Sequence, residues 1–284
     1  MHVLVFGKSG QVATELARLG GNNITCLGRD LADLSDPTAC AAVIAATDAD
    51  VIINAAAYTA VDKAEKEEQL ATTVNGTSVE AMARVAAARD IPFLHISTDY
   101  VFDGTGNKPW KPKDATGPIS AYGRSKLTGE LGVAAAKGRY AVMRTSWVYS
   151  SHGNNFVKTM LRLGAERNAL SIVNDQIGGP TSAADIASAL MCMAQNFYEG
   201  RGQSGLYHFA GGPDASWANF ATDIFKQANL AVDVTGISSA QYPTPAIRPG
   251  NSRMDCNDIT RMFGVKRPDW RISLNKVLNE LGAI

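Results

Sequence analysis

Five short, mainly apolar runs pace the first half of the chain: Val3 to Phe6, Ile24 to Leu27, Val51 to Ile53, Phe93 to Ile96 and Tyr140 to Met143. A longer stretch with helical spacing separates each from the next. A strand that is apolar at every position must be covered on both faces, which a parallel sheet wrapped by helices provides. The rhythm therefore predicts an α/β chain built on a Rossmann-like, doubly wound parallel sheet.

Beyond about Val148 the rhythm becomes irregular. Helical patterns over Asn155 to Glu166, Ala183 to Phe197, Trp217 to Asn229 and Leu274 to Leu281 alternate with strand patterns at Leu170 to Val173, Leu206 to Ala210 and Val232 to Gly236. The loops Gly178-Gly179-Pro180, Gly211-Gly212-Pro213 and Tyr242 to Gly250 punctuate them. The expected division is a nucleotide-binding domain over residues 1–150 and a small, mainly substrate-binding lobe over 151–284, interleaved with the first domain rather than hung from a linker.

Gly7-Lys8-Ser9-Gly10-Gln11-Val12-Ala13 follows the first strand and opens a helix, where a G-x-x-G-x-x-A pattern has a physical meaning. Gly7 allows a tight turn, Gly10 lets a pyrophosphate approach the backbone, and the helix amides and dipole face its charge. After the second strand comes Gly28-Arg29-Asp30. Arg29 suits a ribose 2′-phosphate through its planar charged fork, whereas Asp30 suits the 2′-hydroxyl of NAD. NADPH is the expected cofactor, with NADH as the alternative in which Arg29 is a solvated loop charge.

Tyr122 and Lys126, in Tyr-Gly-Arg-Ser-Lys, stand four residues apart and hence on one face of a helix. A phenol with a pKa near ~10 exchanges protons poorly at neutral pH, and a fixed cation beside it lowers that value. Ser97-Thr98-Asp99 follows the fourth strand, at the sheet edge where open α/β folds bind ligands, so Thr98 completes a candidate catalytic set with a hydrogen bond to a substrate carbonyl. Ala57, Tyr58 and Thr59 end the third strand's segment, where small residues let a cofactor lie against backbone. Trp147, in Arg-Thr-Ser-Trp-Val-Tyr, reaches the same edge either as a platform for a sugar ring or as a core residue.

The remaining composition mostly excludes. Lys plus Arg and Asp plus Glu are 27 each, so no global field favours nucleic acid or an anionic membrane. Cys26, Cys40, Cys192 and Cys256 are scattered and read as reduced thiols, while His2, His95, His152 and His208 are far apart and read as ordinary packing or surface residues, so no metal site is expected. The start MHVLVFG has no basic region or cleavage site, and no segment reaches the ~20 apolar residues of a membrane span. A cytoplasmic location is expected.

Together these motifs resemble the extended short-chain dehydrogenases, and the full set is similar to the dTDP-4-dehydrorhamnose reductase family. The likeness runs through GKSGQV, NAAAYTAVDKAE, STDYVFDGTG, YGRSKLTGE, RTSWVY, GNNF, NDQIGGPT, GLYHFAGG and YPTPAIRPGNSR, of which the later segments are the more specific. The resemblance implies reduction of the 4-keto group of dTDP-4-dehydro-β-L-rhamnose to dTDP-β-L-rhamnose, in dTDP-rhamnose biosynthesis. It places Gly10, Gln11 and Val12 on the pyrophosphate, Asp33 and Leu34 by the adenine, and Ala57, Tyr58 and Thr59 along the cofactor cleft. It gives Thr98 and Asp99 to the sugar with Trp147 packed against it, Tyr122 as proton donor to the C4 oxygen, and Lys126 as the group shaping that phenol. Arg248 of RPGNSR is a candidate for the substrate diphosphate, or else a loop arginine closing a salt bridge.

Some relatives form a homodimer around a magnesium ion held by carboxylates. Glu15 keeps one such position, but Thr181-Ser-Ala-Ala-Asp185 carries alanine at another, which counts against a magnesium bridge. Two rival functions share these motifs. One is a non-catalytic NADP-binding subunit like that of methionine adenosyltransferase, which has no chemical need for an intact Thr98, Tyr122 and Lys126. The other is a sugar-nucleotide epimerase or dehydratase; a dehydratase is expected to carry an acidic pair directly after the threonine, where this chain has Asp99-Tyr100.

Overall fold

The computed structural model describes all 284 residues. The chain opens with β1 (Val3–Phe6), α1 (Gln11–Gly20), β2 (Ile24–Leu27), α2 (Pro37–Ala46) and β3 (Val51–Asn54). Short helices α3 (Val61–Ala64) and α4 (Glu68–Thr72), a π-helical turn over Thr73–Thr77 and α5 (Ser78–Ala88) lead to β4 (Phe93–Thr98). A 3-10 turn over Asp99–Val101 and α6 (Ala121–Ala135) lead to β5 (Tyr140–Thr145). Then follow β6 (Val148–Tyr149), α7 (Phe156–Glu166), β7 (Ala169–Val173), β8 (Ile177–Gly178), β9 (Thr181–Ser182), α8 (Ala183–Tyr198) and β10 (Gly205–His208). The chain ends with β11 (Ala215–Ser216), α9 (Trp217–Gln227), β12 (Asp233–Ile237), β13 (Asn251–Ser252), α10 (Asn257–Phe263) and α11 (Trp270–Glu280).

Six parallel strands form the main sheet in the order β10-β5-β4-β3-β1-β2. Its inner strands are buried at nearly every position, as their mainly apolar runs require, and each large aliphatic side chain so buried is worth ~1.5–3 kcal/mol. One face packs on α1, α8 and α10 and the other on α2, α5 and α6, which makes the sheet doubly wound. The winding direction reverses between β1 and β3, so the loops leaving those strands open a crevice at the carboxyl edge, the place where such sheets bind ligands.

The strand pattern at Leu206 to Ala210 belongs to this sheet, as β10 against β5, and α8 covers its face. A separate apolar cluster forms the lobe, from α7, α9, α11 and β7 around Phe220, Phe225 and Trp270. Residues Asn251–Ser252 run from the lobe back to the main body: β13 pairs with β8, while Asn251 N donates to the carbonyl of Gly104 at 2.9 Å.

Candidate active site

The site is built on helix ends and strand ends, and the capping pattern marks it. Among helices of ten or more residues that do not continue an earlier helical turn, α2, α6, α7, α8, α9 and α11 each receive a side-chain cap, from Asp36, Ser120, Asn155, Ser182, Ser216 and Asp269. Helix α1 alone has none; Gly10 precedes it, and its first amides keep no side-chain acceptor. Gly7 sits at φ +115°, and a Cβ there would stand 3.3 Å from the backbone of Ala55 and Ala56, so the turns after β1 and β3 meet at the switch point only because this residue is glycine. At Gly10 a Cβ would meet nothing within 4 Å. A free helix terminus beside an open glycine turn fits a dinucleotide's pyrophosphate.

The other expected cofactor residues gather around this crevice with differing freedom. Arg29 is exposed at the end of β2, and Lys8, which the motif reading passed over, runs above Gly28 with its Cδ 3.5 Å from where a Cβ would stand. The Asp30 carboxylate stands nearest Gly28, so two cations and one anion gather where a nucleotide ribose would lie. Asp33 is exposed and accepts from Ser35 N at 2.9 Å, while the side chain of Leu34 is buried in the sheet core and its carbonyl accepts from Ser78. Gln11 presents its backbone at the helix start, but its Oε1 accepts from Ser150 and Asn155 at 2.8 and 3.0 Å. Val12 is buried against the sheet.

The Ala57-Tyr58-Thr59 segment is held by Asn75, a residue the motif reading missed. Asn75 lies in the π-helical turn, accepts from Tyr58 N at 2.8 Å, and donates to Tyr58 O and Ser125 Oγ at 3.0 and 2.9 Å. One buried amide thus ties the cofactor-side loop to α6. Irregular helical turns of this kind recur at functional sites.

Helix α6 carries Tyr122 and Lys126 on the face turned to the carboxyl end of β4. The two helix residues do not touch the same partners. Tyr122 packs edge-on to Tyr100 with ring centroids 5.5 Å apart. Burial pushes its phenol up to about 12, with the Thr98 hydroxyl pulling down and the Asp99 carboxylate adding to the rise. Lys126 is buried and directs its Nζ at the Ile96 carbonyl, 2.6 Å away, and at His95 Nε2, 3.1 Å away. Burial pulls its ammonium down to about 7, opposed by Glu130. Burial thus holds the Tyr122 phenol protonated, the form an acid needs, while the Lys126 amine is bonded to β4.

Thr98 and Asp99 are buried beside the phenol. Thr98 Oγ1 donates to Asp99 Oδ1 at 3.1 Å, whereas Asp99 Oδ2, Ser97 Oγ and Thr145 Oγ1 have no hydrogen-bond partner. Three orphaned polar atoms at one sheet edge mark a site for a polar ligand. Burial raises the Asp99 carboxyl to about 6, opposed by the hydroxyls of Ser252 and Thr98.

Trp147 has φ +50°, unusual for a bulky residue, and its ring stacks on Trp217 at 3.6 Å. Its position is thus lobe-facing and only partly buried, with Trp217 as a second aromatic that sequence spacing did not reveal. Arg248 Nη2 pairs with Asp62 Oδ2 at 3.0 Å, joining the 242–250 loop to α3. The salt-bridge alternative for this arginine is what the geometry contains, and the pair stays partly solvated.

Glu15, His152 and Glu280 also converge, with one ligand atom from each within 4.8 Å of the others. They do not fit a magnesium ion. Arg18 donates to Glu15 at 3.2 Å and to Glu280 at 3.0 Å, His152 lies 3.0 Å from Glu15, and Ser151 donates to Glu280 at 2.6 Å. A guanidinium already supplies the positive charge, and an imidazole replaces one of the oxygens that magnesium demands. No helix is long and apolar enough to cross a membrane.

Comparison with known proteins places this geometry in context. The RmlD substrate binding domain family matches residues 1–283. A dTDP-4-dehydrorhamnose reductase of Sinorhizobium fredii is 44% identical over 98% of this chain and 97% of its own. One from Salmonella typhimurium is 41% identical over 99% and 98%. The crystal structure of a dTDP-4-dehydrorhamnose reductase from Bacillus anthracis in complex with NADP is similar at TM-score 0.91 and 34% identity, covering 98% of this chain and 99% of that one.

Proposed function

The chain belongs to the RmlD family, that of the dTDP-4-dehydrorhamnose reductases, and from that membership we propose that it reduces the 4-keto group of dTDP-4-dehydro-β-L-rhamnose with Tyr122 as general acid. The observation that carries the reading is the gathering of Thr98, Asp99 and Tyr122 at the carboxyl end of β4, beside orphaned buried polar atoms and next to the uncapped turn of α1.

NADPH, when bound, supplies the hydride. Gly7, Gly10 and the first amides of α1 would hold its pyrophosphate, Lys8 and Arg29 its 2′-phosphate, and Ala57, Tyr58 and Thr59 its nicotinamide half, in keeping with the NADP carried by the Bacillus anthracis relative. NADH would use the same turn without the two cations.

Thr98 would hydrogen-bond the C4 oxygen and orient it toward the Tyr122 hydroxyl. As negative charge develops on that oxygen, Tyr122 gives up its proton, and Lys126 favours the resulting phenolate when it carries its own proton. Asp99, with one oxygen unpaired, would accept from a sugar hydroxyl, and Trp147 with Trp217 would face the ring.

The test is NADPH oxidation followed at 340 nm with dTDP-4-dehydrorhamnose. Turnover by the wild type and a fall of ~100-fold or more in kcat for Tyr122→Phe are expected. A folded, NADPH-binding wild type that leaves the sugar unreduced defeats the substrate assignment.

A further inference from the structure

Lys126 does not meet solvent or the phenol; it ends in a chain of hydrogen bonds that has a direction. The amide N–H of Ala56 donates to Asn54 Oδ1 at 3.1 Å. Only an oxygen can accept from a backbone N–H, so the orientation of the Asn54 amide is fixed and its Nδ2 faces His95 Nδ1 at 3.1 Å. That nitrogen must therefore accept, which leaves the ring proton on Nε2, pointing at Lys126 Nζ 3.1 Å away. Nζ in turn donates to the Ile96 carbonyl at 2.6 Å. Asn54 and His95 are fully buried, so water offers no way out.

This order suits an uncharged amine. An ammonium has three N–H groups and no lone pair, so a charged Lys126 would face the Nε2–H donor to donor. Shifting the ring proton to Nδ1 moves the conflict to Asn54, and turning Asn54 moves it to Ala56. Each route leaves one buried donor unmatched, a cost that falls on the charged form of the amine.

We propose that His95 is a positioning residue for the reduction: in the Nε2–H tautomer imposed by Asn54 it fixes the Lys126 amine in place and sets how readily that amine takes up a proton. The depressed proton affinity of Lys126 and of His95 itself agrees with this ordering. The other charged groups around the amine are accounted for. Glu130, on the same helix, is engaged by Arg144 of β5 at 2.8 and 2.6 Å, and His208 of β10 stands 3.5 Å from that guanidinium. Asp99, beyond β4, acts on Tyr122 and Tyr100. His95 alone among titratable side chains bonds the amine. NADPH held in the crevice would bring negative charge toward this amine and so couple its binding to proton uptake.

The proposal rests on the reductase reading for its kinetic arm only. Asn54→Asp is nearly isosteric, and its carboxylate accepts from Ala56 N–H and from Nδ1–H together, turning Nε2 into an acceptor for an ammonium. The alkaline limb of log kcat against pH is expected to move up by about one unit or more, with KM little changed. His95→Gln, whose amide oxygen can turn to the ammonium, moves it the same way and serves if the aspartate variant does not fold. The second arm needs no sugar: calorimetric titration of NADPH at pH 8 in two buffers of different ionisation enthalpy reports protons taken up, expected to be larger for wild type than for either variant. A limb that stays in place while kcat falls equally at every pH, or proton uptake equal in wild type and variants, overturns the proposal. Absence of turnover with normal NADPH binding refutes the substrate reading and leaves the titration to decide on His95.

Discussion

Asp99 shows how a single site residue trades stability for a ligand. Its carboxyl is buried with one oxygen unpaired, and its folded pKa stands near 6 instead of 3.8. An acid raised in this way costs stability wherever it is ionised in both states, above about pH 6, and the cost is relieved as pH falls from there toward 3.8. Two pKa units at ~1.4 kcal/mol each give a penalty of about 3 kcal/mol. Asp99→Asn is therefore expected to melt several degrees above wild type at pH 8, with the gap closing by pH 4, as followed by circular dichroism; a gap that does not change with pH shows that ionisation is not its source. Lys8 and Arg29 supply the other residue-level prediction. Both are exposed beside Gly28, so Lys8→Ala with Arg29→Ala should leave the fold intact and lower the ratio of kcat/KM for NADPH over NADH about tenfold, the worth of one charge-assisted hydrogen bond to phosphate. Equal losses with both cofactors would place the 2′-phosphate elsewhere.

Helix α6 works because its neighbours come unusually close. A Cβ at Gly123 would collide with the carbonyl of Tyr100, and one at Gly129 with the carbonyl of Asn75, so the glycines let the 3-10 turn after β4 and the π-helical turn press on the helix backbone. Gly129→Ala gains ~1 kcal/mol in helix propensity but must push Asn75 aside, at ~1–3 kcal/mol for overpacking. A net loss of stability is expected in urea denaturation, with a rise in KM for NADPH, because Asn75 also holds Tyr58. Stability equal to or above wild type would show that the helix relaxes away freely. Much at this scale was legible from sequence. The runs at Val3, Ile24, Val51, Phe93 and Tyr140 all form strands of the main sheet, because parallel strands covered by helices leave a mainly apolar mark even where an edge strand carries Thr25 or an inner one His95. The uncapped turn at Gly7 to Gly10 and the Tyr122/Lys126 spacing were legible too, since both depend on neighbours in sequence. What escaped depends on contacts between distant segments: the π-helical turn has no composition signal, Lys8 looked like motif filler, and His95 read as an ordinary histidine because its partner Lys126 lies 31 residues away.

At the scale of the molecule, the interleaving of the two halves decides how the chain can fold. Residues 1–150 contain β1 to β5, the phosphate turn, Thr98, Tyr122 and Lys126, which looks like a complete nucleotide-binding domain. Yet of the 25 buried residues that cover one sheet face, 15 come from beyond residue 150, from α8, β10, α10 and the segments beside them. Ile186, Leu190, Met193 and Phe197 of α8 and Phe209 after β10 cover Val3, Val5, Val51 and Ile53, and β5 loses its edge partner when β10 is removed. A bare face of that size on one side of a parallel sheet exceeds what a soluble monomer tolerates, and an open β5 edge invites pairing with another chain. A fragment of residues 1–150 is therefore expected to aggregate or to lack cooperative thermal unfolding, whereas the full chain unfolds with the sheet and the 183–263 elements together. Circular dichroism and light scattering on the fragment check this. A monomeric fragment with a sigmoidal melt would mean that α1, α2, α5 and α6 suffice, and that the second half acts as an appendage. Because α8 and β10 complete the sheet that carries the candidate site while α7, α9 and Trp217 form the lobe facing Trp147, the two halves are expected to fold as one unit with the site at their seam.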